Sequence, residues 1–130
     1  MVEEIMTAEH AEWGDEPLIP MPPLKIRALR EAVAVLSPTC LPESQQEEDE
    51  ALDWVAENLQ PNAIRLFLRK WAVFVAIERR PVLAGRLREL ERVVARLHDP
   101  QEVRDVGTEI ARLRAEAHRE IAARSLTSAP

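Results

Sequence analysis

The residues of this chain whose types admit chemistry are three histidines, one cysteine, a set of regularly spaced arginines and a tryptophan in an acidic setting. A histidine works as a metal ligand or general base only beside a partner, and His10, His98 and His118 show no paired spacing that would place two imidazoles on one helix face. Cys40 stands between Pro38 and Pro42, and a thiol there would need a base from elsewhere in the chain, so its expected role is structural. A Gly-rich phosphate loop, a Gly-x-Ser-x-Gly elbow and a dinucleotide fingerprint are all missing from the sequence. These observations lead us to expect no catalytic residue, no metal site and no cofactor, and a protein that is not an enzyme.

Two binding chemistries remain. Arg65 and Arg69 are one helical turn apart, as are Arg88, Arg92 and Arg96, and such stripes meet phosphates when a helix presents them together. Glu89 and Glu91 interrupt the second stripe and can pair with its arginines at helical spacing. Trp13 lies in the segment Glu12-Trp13-Gly14-Asp15-Glu16, where no apolar period implies a core role. An aromatic in that setting is suited to anchoring on a basic partner surface, with Ile5 as a second apolar point and Glu12, Asp15 and Glu16 supplying charge. The leading expectation is therefore a protein-binding module, and the alternative is a nucleic-acid-associated regulator acting through the arginine stripes.

Composition bounds what can carry these residues. A chain of 130 residues with 46% apolar content fits one domain. Three glycines and an abundance of Ala, Leu, Arg and Glu favour helix, since these side chains lose little rotamer freedom there. The lone cysteine suits a reducing compartment, and the start Met-Val-Glu-Glu lacks a basic region followed by an apolar stretch, so a cytoplasmic location is expected. Trp71 to Ile77 is the longest apolar run, far short of the ~20 residues that span a bilayer, so no membrane partner is expected. Charge is bipolar: residues 1–60 hold fourteen acids and three bases, residues 61–130 nine acids and fourteen bases, for a net −6. The plain expectation is that the acidic half lies against the basic half.

The pattern predicts an all-α protein of about five helices in a single small bundle that ends in a long antiparallel hairpin. Residues 1–22, with Pro17, Pro20 and Pro22, read as a flexible acidic arm, 23–124 as the bundle and 125–130 as a frayed tail. On that reading the arm is dispensable for folding and needed for the partner. A first helix runs from Pro23 to Leu36 on the spacing of Ile26, Leu29, Val33 and Leu36. A second starts at Ser44, where Ser44 and Glu47 match a capping box, and buries Ala51, Leu52, Val55 and Leu59. The third, from Pro61, is apolar nearly all round, as befits a helix central to its bundle or half covered by a partner, and Pro81 ends it. Trp54, Phe67, Trp71 and Phe74 are expected in the core. Leu83, Leu87, Leu90, Val94 and Leu97 then face Val103, Val106, Ile110, Leu113 and Ala117 along a heptad-like seam, with Asp99 capping the last helix ahead of Pro100. Such a seam is also a surface through which two copies form a homodimer.

The order Pro23-Leu24-Lys25-Ile26-Arg27-Ala28-Leu29, then Ala51-Leu52, then Leu68-Arg69-Lys70-Trp71 and Arg79-Arg80-Pro81, resembles a group of small uncharacterised helical proteins of high-GC bacteria, whose genes sometimes lie near RelE-like toxins. The similarity covers roughly residues 20–90. It implies an antitoxin-like or accessory role and assigns no functional residue; the chain has no evident DNA-binding module of the kind that antitoxins use for autoregulation.

Overall fold

The computed structural model describes the backbone of residues 16–127 and the side chains of residues 16–123. Five helices follow one another: α1 (Ile26–Leu36), α2 (Leu41–Asn58), α3 (Asn62–Glu78), α4 (Pro81–Val94) and α5 (Pro100–Thr127), with a single 3-10 turn, Pro38–Cys40, between α1 and α2. The described part of the protein is an all-α bundle whose helices pack on one another around α3, which touches all four of the others. The last helix continues to Thr127, past the 124 boundary drawn from the sequence.

Helix α3 is central because its apolar residues face several directions at once. Phe67, Trp71, Ala72, Val75 and Ala76 are buried in it, and Val75 and Ala72 are fully enclosed. The Trp71 and Phe74 rings meet edge to face with centroids 5.1 Å apart, the arrangement that the ring quadrupoles favour. Leu29, Ala32 and Val33 of α1 cover one side of α3, and Ala117 and Ile121 of α5 another. Cys40 is half-buried against the same core, in keeping with a structural role.

Helix α1 begins three residues after Pro23. Pro22 precedes another proline and is held extended, and Lys25 keeps an extended backbone as the residue before the helix, so Pro23 closes a turn in which its carbonyl accepts the Lys25 N–H at 2.8 Å. Helix α2 departs further from expectation, since it starts at Leu41 with Pro42 in its first turn and Ser44 lies inside it, 3% exposed. No capping box forms, because Glu47 turns away from the α2 backbone. Its carboxylate accepts two hydrogen bonds from Lys70 Nζ, at 2.7 and 2.8 Å, and one from Trp71 Nε1 at 3.2 Å. Glu48 is also buried and takes both its bonds from Arg30 Nη2, at 2.8 and 3.0 Å. The inward stripe of α2 is thus Ser44, Glu48 and Ala51, partly polar, while Leu52 is 44% and Trp54 41% exposed. Leu59 leaves the core as well, for it ends the helix in the left-handed region (φ 56°) and is 87% exposed.

The segment ahead of α1 is a docked strap over the residues described. Met21 is 5% exposed within the core, with Ile19 and Leu24 packed beside it. The Leu18 N–H donates to the Arg79 carbonyl at 2.7 Å, and Arg79 Nη1 donates to the Ile19 carbonyl at 3.2 Å. Arg79 is itself buried and forms an ion pair with Glu120 of α5, while Arg80 stands 3.8 Å from the same carboxylate. Strap, end of α3 and α5 therefore meet at one guanidinium. Dispensability of residues 1–22 does not follow from such an arrangement, because Met21 belongs to the core.

Helices α4 and α5 form the antiparallel hairpin, linked by residues 95–99. Asp99 Oδ1 accepts the Gln101 N–H at 3.2 Å, the cap its position implies. The dry part of the seam is short: Leu83, Leu87 and Leu113 are buried, Leu90 and Ile110 sit half-buried at its edge, and Val103 is 37% exposed. Leu97 lies beyond the last residue of α4. Farther along, α5 leaves α4 and joins the α3 core through Ala117 and Ile121. Ion pairs flank the seam, Arg86–Glu109 at 3.4 Å and Arg114–Glu91 at 3.0 Å. The Arg112 hydrogen bond, with help from Arg86, holds the Glu109 carboxyl below its ordinary 4.5.

Burial sets the expected ranking of substitutions. Leu113→Ala should destabilise by about 2–5 kcal/mol through lost transfer energy and a cavity, and half-buried Leu90→Ala by less than about 2 kcal/mol. Chemical denaturation of the two variants checks this, and an equal loss would show that the seam is sealed along its length. Met21→Ala should also fall in the range of about 2–5 kcal/mol. A loss under about 0.5 kcal/mol would mean that the strap does not belong to the core.

Candidate functional site

Helix α3 carries more apolar surface than its neighbours cover. Leu66, Val73 and Ile77 stand close to whole turns apart at i, i+7 and i+11, and Phe74 at i+8 widens the same side of the helix. They form one wall and the floor of a groove of about 610 Å³, whose other wall comes from Ala84 and Leu87 of α4. Leu66 is 68% exposed at one end, and Val73, Phe74 and Ile77 are half-buried along its length. The rim is charged: Arg69, Lys70, Arg88 and Arg114 stand against Glu78 and Glu91.

A second groove of about 780 Å³ adjoins the first and shares Arg69 and His118 with it. Its apolar lining is Leu24, Leu68, Ile121 and Ala122, and its charged lining is Arg65, Arg69 and Arg119, without a carboxylate among the described residues. A shallower hollow of about 470 Å³ between α2 and α3 brings exposed Trp54 next to Leu66. Apolar surface thus continues from Trp54 across Leu66 into the main groove.

The arginines singled out by spacing separate into different environments. Arg65 and Arg69 are exposed and make no ion pair among the described residues. Arg88 reaches across to α3 and gives Glu78 two hydrogen bonds, at 2.9 and 3.1 Å, so it is already engaged. Arg92 is exposed on α4, whereas Arg96 lies past Val94 in the turn, so the stripe of three is not held on one helix and neither residue lines either of these two grooves. Glu91 pairs with Arg114 of α5 rather than with Arg92. Of the residues expected to bind a partner through the N-terminal segment, Glu16 is exposed at the start of the strap, while Ile5, Glu12, Trp13 and Asp15 lie outside the described residues.

The acidic half does lie against the basic half, since α1 and α2 pack on α3, but few ion pairs cross between them. Among the described residues Glu47 with Lys70 is the ion pair that joins the two halves, while Glu78, Glu91, Glu109 and Glu120 neutralise basic residues of their own half. Asp49, Glu50, Asp53 and Glu57 remain exposed on α2, and Arg65 and Arg69 remain open beside the grooves. Spacing counts could not find this, because pairing across helices depends on which faces meet. Among the described residues no group of three or more His, Cys, Asp or Glu side chains is placed to hold a metal ion, and no helix is long and apolar enough to cross a membrane. Exposed His98 sits at the hairpin turn and His118 on the groove rim.

The chain matches no family model, and neither a curated protein nor a solved structure shows significant similarity to it. The grooves must therefore be read from their own chemistry.

Because Arg65 and Arg69 make no ion pair among the described residues, the double change Arg65→Glu/Arg69→Glu should leave the thermal midpoint within about 2 °C. Arg79→Met, which removes the strap's clamp, should lower it by several degrees through loss of a buried, charge-assisted contact. Thermal unfolding followed by circular dichroism compares them. A large drop in the double variant would assign Arg65 and Arg69 to the fold instead of to a binding face.

Proposed function

We propose that this chain is a non-enzymatic protein-binding module of the cytoplasm that seats an amphipathic helical segment of a partner in the groove along α3. The observation that supports this most directly is the stripe Leu66, Val73, Phe74 and Ile77, which its neighbours cover only in part: Leu66 is exposed and the other three are half-buried along the groove. A partner helix laid in such a groove places apolar anchors at steps of three and four residues on the floor, with charged residues meeting the rim. A groove with an apolar floor and opposed walls distinguishes this surface from scattered exposed side chains, which need no explanation. An antitoxin-like or accessory role, as the resemblance of residues 20–90 implies, is one form that such binding takes.

The nucleic-acid reading keeps one supporting observation, the open pair Arg65 and Arg69 beside Arg119. Against it, the apolar floor of both grooves offers nothing to a nucleic-acid backbone.

Selection of a displayed library of 16-residue peptides against the full chain tests the proposal. Enriched peptides should carry apolar residues at helical spacing, and Leu66→Glu, at an exposed position that adds little folding cost, should weaken their binding at least tenfold. Absence of enrichment, or binding indifferent to Leu66→Glu, would overturn it.

A further inference from the structure

Resting on the groove-binding reading, we infer that the partner segment is acidic, its carboxylates meeting Arg65, Arg69 and Arg119 while its apolar side chains fill the adjoining floors. The charge of the two linked grooves carries the argument. Both grooves are built almost wholly from residues 61–130, the basic part of the chain; among the described residues the second is lined by three arginines and no acid, and of the four cations on the rim of the first Arg69 alone has no carboxylate partner. The cations of the second groove are not the ones the fold employs. The guanidinium that ties the strap is Arg79, the one that ties α1 to α2 is Arg30, and the ammonium that ties α2 to α3 is Lys70. Arg65 and Arg69 tie nothing among the described residues, while Arg119 stands only 3.8 Å from Glu116 within its own helix.

Geometry sets the kind of acid-bearing ligand. Arg65 and Arg69 are one turn apart on α3, and Arg119 approaches from α5, so cations flank the hollow on two sides above Leu24, Leu68 and Ile121. A helical segment with carboxylates on one edge and apolar residues on the next fits both features together, whereas a phosphate backbone fits only the first. The rim carboxylates Glu78 and Glu91 then set register: Arg88 and Arg114 neutralise them, which leaves Arg69, shared by both grooves, as the point where the acidic edge is strongest held. Complementarity of this kind favours one partner charge over another more than it adds raw affinity, so preference is the quantity to measure.

The experiment uses fluorescence anisotropy on the full chain with three labelled 18-residue helical probes. All share leucines at alternating steps of three and four, and the remaining positions carry mostly Glu, Gln or Lys respectively. The inference expects the Glu probe to bind at least tenfold tighter than the Gln probe at 50 mM salt, with the advantage shrinking at 500 mM as charges are screened. It also expects Arg65→Glu/Arg69→Glu to erase that advantage and to bind the Lys probe more tightly than the unaltered chain does. Equal binding of Glu and Gln probes, with both weakened by Leu66→Glu, would overturn the acidic partner while leaving the groove as a peptide site. Failure of every probe, together with an empty display selection, would overturn both. Tight binding of labelled duplex or single-stranded nucleic acid in place of the Glu probe, lost in the double arginine variant, would assign the arginines to phosphate and overturn the inference. Sedimentation showing a dimer that excludes the Glu probe, and that Leu66→Glu dissociates, would give the groove to a second copy and likewise overturn it.

Discussion

One constraint organises this bundle: α3 is a 17-residue helix with apolar side chains on almost every side, and four other helices must cover it. Each neighbour takes one sector. α1 supplies Leu29 and Val33, α5 supplies Ala117 and Ile121, and the strap adds Met21 where the helices leave a gap. Because the hydrophobic effect scales with area removed from water, any sector left open weakens the centre of the protein. Leu66, Val73, Phe74 and Ile77 are the sector that coverage does not complete.

Polar ties hold the covering elements in register where apolar contact is non-directional. Glu47 accepts from both Lys70 and the Trp71 indole, Glu48 is gripped twice by one nitrogen of Arg30, and Arg79 joins strap, α3 and α5. A buried carboxylate is tolerated only when such donors replace water, so these pairs specify which faces meet. They also explain how an acid-rich stretch becomes part of a core. Glu47 and Glu48 point inward while their neighbours Asp49 and Glu50 stay in solvent.

The same selection among like residues shapes the binding face. Fifteen arginines are spread over the chain, and most of those described on α4 and α5 have a carboxylate within ion-pair distance. The ones that stand open at Arg65 and Arg69 are set apart by location, since the side of α3 that bears them faces a hollow in place of another acidic helix face. A cation beside an apolar floor is a recognition feature, because it rewards a ligand that supplies both charge and hydrophobic area.

Helix class, helix number and most helix starts were legible in the sequence, because proline placement and apolar spacing act locally. Pro81 and Pro100 each stand at the first position of a helix, Asp99 caps α5, and the all-round apolar character of α3 pointed to a helix either central to the bundle or half covered by a partner. What local pattern could not determine was the choice among chemically equal candidates. Ser44 and Glu47 have the spacing of a capping box, yet Glu47 goes to Lys70 and Trp71 because α3 lies within its reach. Leu52 and Trp54 are as apolar as the core but fall on the outer face of α2, Leu59 follows its end in the left-handed region, and Arg79 is buried where its neighbour Arg80 is not. Residue type and period along one chain determine what a segment can form. Which face is then buried, which arginine is clamped and which groove stays open are decided by contacts between segments far apart in sequence, and only the tertiary structure contains them.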